Sequence, residues 1–128
     1  MLRYILFFLC FSGLWISSFS QEEKLNNAYL LIEQDTLNYG TIKMNSNGEK
    51  KLKVTNTGNA DLIITSCKGS CGCTVPECPD YKLLPGESGE IKIVYDTKRI
   101  GVFSKTVTIK SNATNNTVYI KVRGEVTH

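Results

Sequence analysis

The chain has 128 residues, 41% of them hydrophobic and 21% charged, which suits a single globular domain and excludes a disordered one. Fifteen Lys and Arg against twelve Asp and Glu give a net charge of +3, too mild to argue for nucleic acid or an anionic membrane surface as the partner. The one histidine, His128, is the last residue, which leaves little room for histidine-based catalysis or a histidine-rich metal site.

The first element is an export signal. Arg3 follows the amino terminus, residues 4–16 (YILFFLCFSGLWI) are apolar, and small residues Ser18 and Ser20 follow. This is the layout of a cleaved signal peptide over residues 1–20, with the cut between Ser20 and Gln21. A membrane-spanning helix needs about 20 apolar residues, so no stable span is expected after signal removal. Cys10 lacks the small residue that should precede a lipidated cysteine, and it leaves with the signal. Cys67, Cys71, Cys73 and Cys78 remain, and in an exported, oxidising compartment their default state is disulfide-bonded.

Residues 21–28 (QEEKLNNA) are polar and without period, a flexible leader, so that residues 21–32 hold the leader and a first strand and residues 33–128 the folded domain. From residue 29 onward the signals are those of strands. Residues 29–33 are a short apolar run, and residues 37–43 alternate around Gly40. Asn47-Gly48 predicts a tight hairpin, because both of its central positions need positive φ. Residues 50–55 alternate, with Leu52 and Val54 inward and Lys51 and Lys53 outward. Residues 56–59 (NTGN) are a turn cluster, and residues 62–65 (LIIT) read as a continuous apolar strand. Pro85-Gly86 predicts a turn with a left-handed glycine. Ile91, Ile93 and Tyr95 then share one face, as do Phe103, Val107 and Ile109, and finally Val118, Ile120 and Val122. That makes about seven strands at the spacing of an antiparallel β-sandwich, an all-β fold with no helical period after the signal.

The chemically unusual segment is Cys67-Lys-Gly-Ser-Cys71-Gly-Cys73-Thr-Val-Pro-Glu-Cys78. Its first reading is two structural disulfides. An extended backbone would put Cys71 and Cys73 roughly 6.7 Å apart with parallel side chains, at the far edge of disulfide geometry, so the expected pairings join each of them to Cys67 or Cys78. The second reading is a soft metal ion, Zn²⁺ or Cu⁺, clamped by Cys71 and Cys73, although the crowded spacing departs from the usual zinc pattern. The third is thiol redox chemistry, which usually takes a C-x-x-C pair at a helix start, and neither is present. No cofactor is expected.

Other constellations are weaker. The carboxylates form no separated pair facing a cleft. Lys50, Lys51 and Lys53 suit a solvated or edge-protecting face. Asn112-Ala-Thr114 and Asn115-Asn-Thr117 match glycosylation sequons. The aromatics form no exposed stacking stripe.

Three segments taken together resemble a known family: Tyr39-Gly-Thr-Ile42 with residues 54–64 (VTNTGNADLII); Ser70-Cys-Gly-Cys-Thr-Val-Pro76; and residues 84–91 (LPGESGEI) with Tyr95-Asp-Thr97 and Gly101-Val-Phe-Ser-Lys105. The chain resembles the bacterial domain-of-unknown-function family 1573, small exported proteins common in Bacteroidota, over residues 33–126. It is also similar to the wider Hydin-type, major-sperm-protein-like immunoglobulin superfamily. The resemblance implies an Ig-like β-sandwich and no enzyme activity. It matches Cys71 and Cys73 to the family's usual pair, with Cys67 and Cys78 additions in this member. The expectation is therefore an exported, non-catalytic binding or structural module of the periplasm or cell surface, with an unidentified protein or envelope partner. The alternative is a metal-handling or thiol-redox site on the Cys67–Cys78 loop.

Overall fold

The structure, a computed structural model, describes residues 27–128, and Gly13 alone ahead of them. The rest of the signal run, the Ser20–Gln21 cleavage point and residues 21–26 lie outside the described residues. Among the described residues no helix is long and apolar enough to cross a membrane.

Among the described residues eight strands follow one another: β1 (Leu30–Leu31), β2 (Thr36–Lys43), β3 (Glu49–Asn56), β4 (Ile64–Gly69), β5 (Thr74–Glu77), β6 (Ser88–Tyr95), β7 (Gly101–Ser111) and β8 (Thr117–Thr127). They form two four-stranded sheets, ordered β1-β3-β6-β5 and β2-β8-β7-β4. Alternation dictates the layering. Leu52, Val54, Ile91 and Ile93 from one sheet meet Val107, Ile109, Ile120 and Val122 from the other, all buried. Each such branched side chain, fully buried, stabilises the fold by about 1.5–3 kcal/mol. At one end of this core Tyr95 stacks on Phe103 with centroids 3.7 Å apart, and Tyr39 meets Phe103 edge-on at 5.7 Å.

The eight strands among the described residues agree with the expected count of about seven; the one not read from sequence is β5, inside the cysteine segment, where four residues and Pro76 gave no readable alternation. Several sequence expectations need correction. The sandwich is not wholly antiparallel: β2 runs parallel to β8, with a bulge between Asn38 and Thr41. Asn47-Gly48 makes no hairpin, since β2 and β3 belong to different sheets. The left-handed residue of that connection is Asn45, at φ 62°. Gly48 instead lies against the Tyr95 carbonyl, where a Cβ would not fit. Residues 62–65 are not one continuous strand, as Leu62 bridges Leu83 while Ile63 turns outward, 49% exposed. The expected turn at Pro85-Gly86 is present, with Gly86 at φ 84°.

Residues 27 and 28, read as the end of a leader, are docked. Asn27 N–H donates to Asn59 Oδ1, Tyr29 N–H to Asn56 Oδ1, and Thr114 N–H to the Ala28 carbonyl. Asn115 works as a missing strand neighbour for Leu30: its Oδ1 accepts the Leu30 N–H at 3.0 Å and its Nδ2 donates to the Leu30 carbonyl at 2.7 Å. Asn112 does the same between Ile63 N–H and the Asp61 carbonyl. Both sequon asparagines thus use the amide nitrogen that a glycan would occupy.

Candidate functional site

The cysteine segment is the corner at which the chain leaves one sheet for the other. β4 is the edge of the second sheet and β5 the edge of the first, and residues 70–73 carry the chain between them. The crossing is close: a Cβ on Gly69 would strike the Thr74 carbonyl, so only glycine fits there. Ser70 N–H donates to the Thr106 carbonyl and its hydroxyl accepts the Thr106 N–H, which fixes the last residue before the corner.

The structure pairs Cys67 with Cys78 and Cys71 with Cys73. This corrects the expected pairing, because the backbone at 71–74 is not extended. It is a turn closed by Thr74 N–H on the Cys71 carbonyl at 3.3 Å, and it brings the Cys71 and Cys73 Cα atoms to 5.3 Å. The bulge between Ile64 and Ser66 sets Cys67 and Gly69 on the inter-sheet side of β4, and Cys67 then meets Cys78 just past the end of β5.

The two bonds have different surroundings. Cys67–Cys78 ties the β4 edge to the β5 edge, with its ends 11 residues apart, and by chain entropy stabilises by about 3 kcal/mol. Cys71–Cys73 closes a ring with its ends two residues apart, for about 1.5 kcal/mol on the same reasoning. Cys73 is 2% exposed, whereas Cys71 is half-buried. Cys73 N–H donates to Cys71 Sγ at 3.3 Å, and Thr74 Oγ1 lies 4.0 Å from Cys71 Sγ and 3.8 Å from Cys73 Sγ. The pair forms a ridge between two hollows. One, of about 610 Å³, is lined by Asn45, Gly48, Cys73, Asp96 and Lys98; the other, of about 440 Å³, by Lys68, Ser70, Cys71, Val75 and Pro76. With all four sulfurs bonded to one another, no thiolate shell for Zn²⁺ or Cu⁺ exists until a disulfide is reduced.

Sequence reasoning missed a second feature, the outer edge of β3. Asn56 N–H donating to Glu87 and Tyr95 N–H to Gly48 fix the ladder, so Lys50, Leu52 and Val54 turn their backbone groups toward β6. Glu49, Lys51, Lys53 and Thr55 turn theirs the other way. β1 covers only Thr55 and Asn56, and Asn47 Oδ1 takes the Glu49 N–H. The N–H and C=O groups of Lys51 and Lys53 have no partner among the described residues, and a hollow of about 200 Å³ lined by Glu33, Gln34 and Leu52 runs beside them. The β5 edge differs. Asp96 N–H on the Cys73 carbonyl phases that ladder so that Thr74 and Pro76 face out. Thr74 N–H is spent on Cys71 and Pro76 has none.

Residues 30–126 match the family described as protein of unknown function (DUF1573). The chain belongs to this family. No curated protein shows a significant match to it. Among solved structures, this DUF1573 chain is similar to a protein of unknown function from Porphyromonas gingivalis W83, at 18% identity and TM-score 0.69 over 77% of this chain and 46% of that one. It thus spans less than half of that protein's length. It is also similar to PapD-like domain 7 of human CEP192, at 12% identity and TM-score 0.61, covering 80% of this chain and 88% of that one. The periplasmic chaperone SfaE aligns at 10% identity and TM-score 0.59, over 78% of this chain and 59% of that one. Likeness at these identities shows the fold, a PapD-like, Ig-like β-sandwich, and no more.

Proposed function

We propose that this DUF1573 protein is an exported, non-catalytic binding module of the cell envelope that takes an extended, acidic segment of a protein partner along the open edge of β3. The observation that carries the reading is the pair of backbone positions at Lys51 and Lys53 that have no partner among the described residues, a template for an added strand. Lys51 and Lys53 beside that edge favour acidic side chains on the incoming strand. A second copy of β3 is a poorer occupant, since antiparallel pairing centred on Lys51 sets lysine against lysine. A fold shared with the periplasmic chaperone SfaE supports a protein partner. Export is supported by the apolar run at residues 4–16 and by two disulfides, which persist in oxidising compartments.

The test is a titration of ¹⁵N-labelled protein with an octapeptide of alternating Glu and Val. Binding shifts the Lys51 and Lys53 amides and slows their hydrogen exchange, and Lys51→Pro abolishes it. Saturating peptide that leaves both amides unmoved overturns the reading. Export is checked by the intact mass of the protein from the cell envelope, which should begin at Gln21.

A further inference from the structure

The Cys71–Cys73 bond does little that the corner does not already do. The Thr74 N–H to Cys71 hydrogen bond closes the same turn, Gly69 and Ser70 fix its approach, and Cys67–Cys78 already joins the two edges. A ring whose ends are two residues apart removes little freedom from the unfolded chain. The arrangement around it is that of a working sulfur pair. One sulfur is buried and the other reachable, and the reachable one opens onto the hollow lined by Lys68, Ser70 and Val75, the last of them 50% exposed. Both sulfurs have donors in place. Cys73 N–H points at Cys71 Sγ and the Thr74 hydroxyl sits near both, so the negative charge of a thiolate is met when the bond opens.

We propose that Cys71–Cys73 is a reducible disulfide that exchanges with the dithiol of a protein partner, while Cys67–Cys78 stays closed as the staple. A partner thiolate attacks Cys71 Sγ, the Cys71–Cys73 bond breaks, and Cys73 leaves as a thiolate and takes up a proton. The partner's second thiol, losing its proton, attacks the partner sulfur of the mixed disulfide and expels the Cys71 thiolate, which is protonated in turn. Two electrons and two protons pass to this chain, and the partner is left with a disulfide. The exchange depends on the corner alone and is independent of strand addition at β3.

The test equilibrates the full-length exported protein with graded dithiothreitol, traps thiols with N-ethylmaleimide, and maps them by peptide mass. Cys71 and Cys73 are expected to open at a dithiothreitol concentration at least tenfold below that which opens Cys67 and Cys78. Simultaneous opening, or Cys67–Cys78 opening first, overturns the proposal. A second arm compares single variants with oxidised glutathione as the probe. Cys73→Ala, which leaves the reachable Cys71 thiol, should form the mixed disulfide at least tenfold faster than Cys71→Ala, which leaves the buried Cys73. Equal rates overturn the assignment of Cys71 as the attacked sulfur.

Discussion

Asn56 shows how much one side chain organises. It is fully buried, and its amide is fully used: Oδ1 accepts from Tyr29 and Gly58, and Nδ2 donates to Ala60 at 2.7 Å and Leu83 at 2.9 Å. Asn56→Ala strips four bonds at a buried point, and a loss of about 3 kcal/mol is expected in urea unfolding. Asn56→Asp should cost more, because a carboxylate would face two carbonyl oxygens. A loss under about 1 kcal/mol for both would show that water replaces the amide without penalty. Tyr39 makes a second case. Its hydroxyl donates to the Gly48 carbonyl at 2.7 Å and lies 3.1 Å from that of Ile93, inside the core. Burial, helped by the nearby Glu49 carboxylate, pushes its ionisation up to about 12. The folded state therefore keeps a proton that the unfolded chain loses near pH 10. Stability held below pH 10 should drain away toward pH 12, by about 1 kcal/mol per pH unit, and burial of Tyr95 pushes in the same direction. Tyr39→Phe should flatten that slope; an unchanged slope would assign the alkaline loss to other groups.

At the scale of strands, the two faces of one backbone differ in what they tolerate. Leu52 N–H is committed to β6 opposite Ile91, whereas the neighbouring Lys51 N–H faces the open edge. Leu52→Pro should unfold the domain at ordinary temperature, and Lys51→Pro should shift the thermal midpoint by only a few degrees. Equal losses would mean that the Lys51 edge is covered after all. Lys50 reaches across to β2 instead. Its stem crosses the Tyr39 ring, with Nζ 5.3 Å from the centroid, and ends on the Asn38 carbonyl at 2.9 Å. Strands with clean alternation, such as β3 and β6, were legible from sequence, because burial of Leu52, Val54, Ile91 and Ile93 follows from period alone. The parallel β2–β8 pairing was not, since it joins segments about eighty residues apart and leaves no local trace. β5 was hidden by its length and Pro76. The four cysteines were legible as a cluster, but their pairing hung on a backbone turn that spacing cannot report.

At the scale of the whole molecule, the staple closes one side of the sandwich and the N-terminal strand the other. β4 and β5 are edges of opposite sheets, and beyond the backbone of residues 70–73 the Cys67–Cys78 bond is the disulfide that ties them together. On the far side, β1 is only two residues long; it pairs with Thr55 and Asn56 at the end of β3, and Asn115 holds the N–H and carbonyl of Leu30 on its other edge. The sandwich is thus fastened firmly at one side and lightly at the other, where the open part of the β3 edge also lies. Removing each disulfide separately tests this picture. The Cys67→Ala, Cys78→Ala double variant should lose about 3 kcal/mol in urea unfolding, and the amides of β4 and β5 should exchange faster while those of β1 do not. The Cys71→Ala, Cys73→Ala double variant should lose no more than about 1.5 kcal/mol and leave exchange in β4 and β5 nearly unchanged, because the turn and its Thr74 hydrogen bond survive. If the order were reversed, the short ring would be the structural bond and Cys67–Cys78 the dispensable one, and the division of labour between the two disulfides would have to be exchanged.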